Sequence, residues 1–158
     1  MKTIPAAVVT AVLVIFYSGS LCAAGGSPFD VLLGSWRGSG MYELDDGTKE
    51  RINCNAYYTG GGNQLGMAIR CTGEGSKVIE IRSKLSSSGG RATGNWEERT
   101  YNAECTAVGT VTGDRITLQI SGGVTGIMRV SYTRSHQSVS ISTQGIALKA
   151  VTVDLNRS

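Results

Sequence analysis

The sequence predicts an all-β protein, an antiparallel up-and-down meander of about eight to ten short strands closed into a barrel. Three observations carry this expectation. From residue 35 onward apolar and polar side chains alternate at period two, glycine-rich turns separate the alternating runs, and no segment after the leader repeats at helical period. Such a chain buries one face of each strand and wets the other.

Ahead of the first strand lies a leader. Lys2 supplies a positive start, Ala6 to Tyr17 an apolar run, and Ser18 to Ala24 the small residues expected before a signal peptidase site. The run is well short of the roughly 20 apolar residues that span a bilayer as a helix, and no other apolar run approaches that length. Residues 1–24 are therefore read as a signal peptide and 25–158 as one β-barrel domain without a membrane span. Cys22 stands where a lipidated cysteine would, but bulky Leu21 occupies the place of Gly, Ala or Ser. The compact leader and the scarcity of cysteines favour a bacterial periplasmic or secreted location. Loss of the leader takes only Lys2 from the formal charge of +3. The remaining basic residues stand singly among acidic ones, the pattern of a solvated surface, and nucleic acid is not expected as a partner.

The strands are expected at 35–44, 48–58, 64–73, 77–86, 92–101, 103–112, 115–121, 124–134, 138–144 and 146–155. Between them lie Asp45-Asp46-Gly47, read as a type I′ turn, then Gly60-Gly61-Gly62-Asn63, Gly73-Glu74-Gly75, Ser88-Gly89-Gly90, Gly113-Asp114, Gly122-Gly123 and Ser135-His136-Gln137. Alternation is clearest in Ile79/Ile81/Leu85, Ile116/Leu118/Ile120 and Val139/Ile141. In the last run the apolar phase switches from Ile146/Leu148/Ala150 to Val151/Val153/Leu155, as a bulge requires. Closure of the meander by its first and last strands removes both sticky edges. Gly38, Gly40, Ala56, Gly94, Ala107 and Gly109 fall in phase with inward positions. Small inward residues either let strands coil tightly or leave room for a ligand, and both readings stay open at this stage.

Cys54 and Cys71 occupy the apolar phase of adjacent strands. Pairing them sets 58 opposite 67 and leaves a glycine-rich hairpin, so a cross-strand disulfide is expected in an oxidising compartment. Cys105 is then left over, as a buried small residue, an intermolecular bridge or a reactive thiol.

Phe29-Asp30-Val31-Leu32-Leu33-Gly34-Ser35-Trp36, followed by the meander, resembles the start of a calycin, the superfamily of lipocalins, fatty-acid-binding proteins and avidins. Gly34 and Trp36 match the Gly-x-Trp of the first strand. The resemblance implies that Trp36 closes one barrel end under a basic residue from a late strand, Lys149 or Arg157. With its second Gly94-Asn95-Trp96-Glu97, the chain is also similar to small periplasmic proteins of alphaproteobacteria, a likeness that brings no function with it.

The search for chemistry returns mostly absences. His136 is the only histidine and falls in a turn, so no histidine-based metal site and no nucleophile triad is expected. Glu97 and Glu98 are adjacent on one strand and point to opposite faces, which prevents them from working as a pair. Asp45-Asp46 lacks the spaced ligands of a calcium loop, and Gly60-Gly61-Gly62 lacks the Lys and helix of a phosphate loop. Neither enzyme activity nor a cofactor is expected. Two binding roles remain. A small hydrophobic ligand would meet Tyr42, Tyr57, Tyr58, Trp96 or Tyr132 at the barrel mouth, with Glu98 as a polar contact. Alternatively the barrel is a protein-interaction module, such as a protease inhibitor or envelope-associated factor, working through its surface. A filled barrel favours the second role.

Overall fold

The computed structural model describes residues 26–75 and 77–158; the signal peptide expected over 1–24 lies outside the described residues. Ten strands follow in order: β1 Gly34–Leu44, β2 Lys49–Gly61, β3 Gln64–Gly73, β4 Val78–Ser88, β5 Arg91–Glu98, β6 Ala103–Val111, β7 Arg115–Gly122, β8 Thr125–Tyr132, β9 His136–Gln144 and β10 Leu148–Arg157. Each pairs antiparallel with its sequence neighbours, and β10 returns to pair with β1, giving a closed barrel. The all-β meander read from alternation is the fold the chain adopts.

Turn chemistry explains the boundaries. The β1–β2 turn differs from the type I′ expected, because that type needs positive φ at both central residues. Here only Gly47 has it (φ 84°), and the Gly47 N–H donates to the Leu44 carbonyl. Strand β5 stops at Glu98 rather than 101 because Asn102 takes a left-handed φ of 54° and turns the chain. Ser135-His136-Gln137 is not a turn from His136 onward: β9 starts there and Gln137 points inward, fully buried. The phase switch in the last strand is a bulge. Glu43 pairs with Ala150 and Leu44 with Leu148, so Lys149 is the extra residue and turns outward.

The inward faces meet in one core running from Phe29 to Leu155. At one end of the barrel residues 28–33 cross the opening and bury Phe29 and Leu32 completely. We call this the capped end. The inward glycines answer the question of small residues. A Cβ on Gly38 would lie 1.8 Å from the Asp154 carbonyl oxygen, and one on Gly94 would lie 1.9 Å from that of Lys84. The neighbouring strand passes too close for any side chain, so these glycines permit tight coiling. Large side chains fill the remainder. A water-filled lumen would expose its lining as surely as solvent does outside, yet Trp36, Ile81, Trp96, Leu118, Met128 and Leu155 are all 0% exposed.

Candidate functional site

The residues proposed to meet a ligand do not converge. Tyr58 and Tyr132 lie towards the capped end. Tyr58 is buried and donates its hydroxyl to Gln137 Oε1 at 2.9 Å, across three strand boundaries, and burial raises its ionisation far above the ordinary range. Tyr132 donates to the Pro28 carbonyl (3.2 Å) and the Thr112 carbonyl (3.3 Å), tying the cap down. Tyr42 and Glu98 lie towards the opposite end. The Tyr42 hydroxyl donates to Glu50 Oε2 at 2.5 Å, and this bond pushes its pKa up to about 12.

Glu98 is fully buried and has no cationic partner among the described residues. Its carboxylate instead accepts the N–H of Tyr101 at 2.6 Å and that of Glu80 at 3.3 Å, so it caps the β5–β6 turn from inside. Trp96 lies one inward position before it, completely buried. Two buried donors lack acceptors among the described residues, Trp96 Nε1 and Gln137 Nε2. Cys54 and Cys71 face each other in register as a disulfide, with Tyr58 opposite Met67 as the pairing required. Cys105 is buried and free, its Sγ 3.4 Å from the Val124 carbonyl oxygen. Among the described residues no three His, Cys, Asp or Glu side chains converge as a metal site requires. No helix among them is long and apolar enough to cross a membrane.

The concave surfaces are on the outside. Two adjoining grooves, of about 330 and 410 Å³, run over the outer faces of β1–β5 and share Tyr57, Ala68 and Arg82. Among the described residues Tyr57 is the most exposed large apolar side chain, at 55%. In its row across the sheet it stands between Ser35 and Ala68, both small, and beyond Ala68 comes Arg82. The neighbouring row runs Arg37, Asn55, Arg70, Glu80. Glu80 lies low in the wall and gathers three guanidiniums: Arg82 at 2.7 Å, Arg70 at 3.1 Å and Arg99 at 3.6 Å. The hydrogen bond from Arg82 leads in holding the Glu80 carboxyl below its ordinary pKa.

Sequence reasoning named Tyr57 but missed this cluster. Its cations stand singly along the chain, and only the strand register collects them. Period-two phase did carry a signal, since Arg70, Arg82 and Lys84 all occupy outward positions.

No protein-family model and no curated protein matches the sequence. Solved structures match in shape. Rv2717c from M. tuberculosis has a TM-score of 0.63 at 18% identity over 82% of this chain and 94% of that one. The S-type phycobiliprotein lyase CPES from Guillardia theta has a TM-score of 0.54 at 14% identity, over 82% and 89% of the two chains. A redesigned β-barrel, mFAP0, bound to DFHBI, has a TM-score of 0.50 at 13% identity, over 80% and 99%. The chain shares their barrel fold. At these identities the likeness extends no further.

Proposed function

We propose that this chain is a non-catalytic binding barrel of the calycin kind, exported to the bacterial envelope, which engages a protein partner through the outer wall of β1–β5 around Tyr57. The filled lumen carries this reading: a barrel whose central side chains exclude water has no room for cargo, whereas its wall carries open grooves. Tyrosine and arginine are among the side chains that most often dominate binding energy at protein interfaces, and both meet here. The Cys54–Cys71 bridge suits an oxidising compartment. The test places a photoreactive phenylalanine analogue at position 57, and in a second preparation at outward Gln119 on β7, in cells that produce the protein. A discrete protein adduct from position 57 alone is expected; equal adducts from both positions, or none, would overturn the wall as the working surface.

A second reading, carriage of a small hydrophobic ligand inside the barrel, draws on the unpaired donors of Trp96 and Gln137. It also draws on the neighbouring barrel bound to DFHBI. Such a ligand would have to part the core, so Trp96→Ala would then weaken its binding more than it harms folding. Native mass spectrometry of the protein purified from its own envelope separates the readings. A reproducible small adduct released on unfolding moves the function into the lumen; a bare protein leaves it on the wall.

A further inference from the structure

The outer wall of β1–β4 gathers basic side chains that the sequence scatters. Strands β1–β4 present Arg37, Arg51, Arg70, Arg82 and Lys84 outward, and Arg99 joins them from the β5–β6 turn. The outward positions of β9, by contrast, are Ser138, Ser140 and Ser142 between His136 and Gln144. At the centre of the basic wall one carboxylate faces three guanidiniums, an excess of two positive charges. Glu80 is 19% exposed while Arg70, Arg82 and Arg99 are 61%, 52% and 54% exposed. Each guanidinium carries five N–H donors, and the hydrogen bonds to Glu80 use one from Arg70 and one from Arg82. Glu80 therefore acts from beneath as a bracket that orients the arginines, whose unused donors point towards solvent.

We infer that the segment seated on this wall is an extended acidic stretch of polypeptide. Its carboxylates meet Arg37, Arg70, Arg82 and Arg99, and one of its apolar side chains packs on Tyr57. This rests on the outer-wall reading above and adds the partner's chemistry to it. Charge complementarity selects an anion, and arginine forks match carboxylates two bonds at a time. The closed barrel offers no free strand edge, so a partner cannot join the sheet and must be read by side chains. The size of the patch selects a peptide over a long uniform polyanion. The row through Arg82 continues into Glu97 and Glu104, and the row next to Arg37 meets Asp154 opposite Ser39. A nucleic acid or sulfated glycan would carry its charge onto these acids, whereas a peptide with a few glutamates around an apolar residue ends within the basic area.

The test uses fluorescence anisotropy at low salt with a labelled nonapeptide of glutamates around a central phenylalanine, and the same peptide with lysines. The glutamate peptide is expected to bind and the lysine peptide not to. Arg70→Ala/Arg82→Ala should weaken binding roughly tenfold or more, as loss of central interface arginines does. Arg115→Ala/Arg129→Ala, on the opposite wall, should leave it within about twofold, the scale of a peripheral screened charge. Glu80→Ala adds net positive charge yet should weaken binding, because the bracket is lost; tighter binding would overturn that role. Equal losses from the two double variants, or tighter binding of a single-stranded oligothymidylate or a sulfated oligosaccharide, would overturn the acidic-peptide inference. Failure of the glutamate peptide while cross-linking at position 57 persists would sink the inference and leave the wall reading standing; failure of both would sink both. Thermal melts of each variant confirm that the barrel is folded.

Discussion

Arg157 covers Trp36: its guanidinium carbon lies 4.3 Å from the ring centroid. The same group donates to the carbonyls of Leu33 (2.8 Å), Arg134 (2.7 Å) and Val31. Trp36 in turn donates its Nε1 hydrogen to the Leu32 carbonyl at 2.7 Å. The end of β10 thus clamps the segment that crosses the barrel opening, and the aromatic beneath is held from both sides. Of the two basic residues the calycin resemblance offered, Lys149 is engaged elsewhere, on Glu43 at 2.7 Å on the outer wall.

Removal of either partner should loosen the capped end, but unequally. Trp36→Ala is a large-to-small change at a fully buried site and should cost about 3–5 kcal/mol. Arg157→Ala removes one cation–π contact and the donors of three carbonyls, about 1–3 kcal/mol. Denaturant melts of both variants check the ranking; an unchanged Trp36→Ala midpoint would refute the plug role.

Glycine substitutions should sort by strand approach. At Gly38 and Gly94 a new Cβ would meet backbone oxygen within 2 Å, and backbone cannot swing aside as a flexible side chain does. Overpacking of this kind costs typically about 1–3 kcal/mol or more. At Gly113 nothing lies within 4 Å, and Gly113→Ala should melt within about 0.5 kcal/mol of the parent protein. Equal melting temperatures for Gly38→Ala and Gly113→Ala would mean that tight coiling is not what Gly38 provides.

Elements with a local signal were legible, and those made by register were not. Ile79, Ile81 and Leu85 announce a strand because alternation is a local property, and the switch at Ala150/Val151 announces a bulge for the same reason. Gln137 reads as turn because its neighbours are Ser135, His136 and Ser138. Its burial is decided by Tyr58, 79 residues away. The wall site fails in the same manner: Arg37, Arg70 and Arg82 become neighbours only when three hairpins fix their rows. Glu98 was legible as inward, but not that its partners would be two backbone N–H groups. Trp96, open between core and cavity wall in the sequence, is closed to water on every side.

The disulfide should matter through the unfolded chain. Cys54 and Cys71 are 17 residues apart, and cross-linking a loop of that length restricts the denatured ensemble by about 3 kcal/mol. Both cysteines are buried, at 2% and 0%, so a thiol reductant should attack slowly until the hairpin opens. The expected outcome is a bridge that survives reductant in native buffer and is lost on adding denaturant, with a lower melting midpoint after reduction. Fast reduction of the native protein, followed by mass spectrometry, would show that β2 and β3 separate readily.

Stability should fall at both extremes of pH through one pair. The Tyr42 hydroxyl and the Gly75 N–H both bond Glu50, which lowers the Glu50 pKa, while the Tyr42 pKa rises to about 12. A lowered carboxyl contributes stability above its unfolded value, roughly 4.3, and that contribution is lost as the pH falls through the folded value. A raised phenol contributes fully below its unfolded value, roughly 10, and the contribution is lost as the pH climbs from there towards about 12. Between these windows the pair leaves the melting temperature flat. Glu50→Gln keeps an acceptor near Tyr42 but removes the charge. Absorbance at the phenolate band should then show one tyrosine titrating closer to its ordinary range, and the acid limb of the melting curve should shallow. A titration curve unchanged by the substitution would mean that Glu50 does not govern Tyr42.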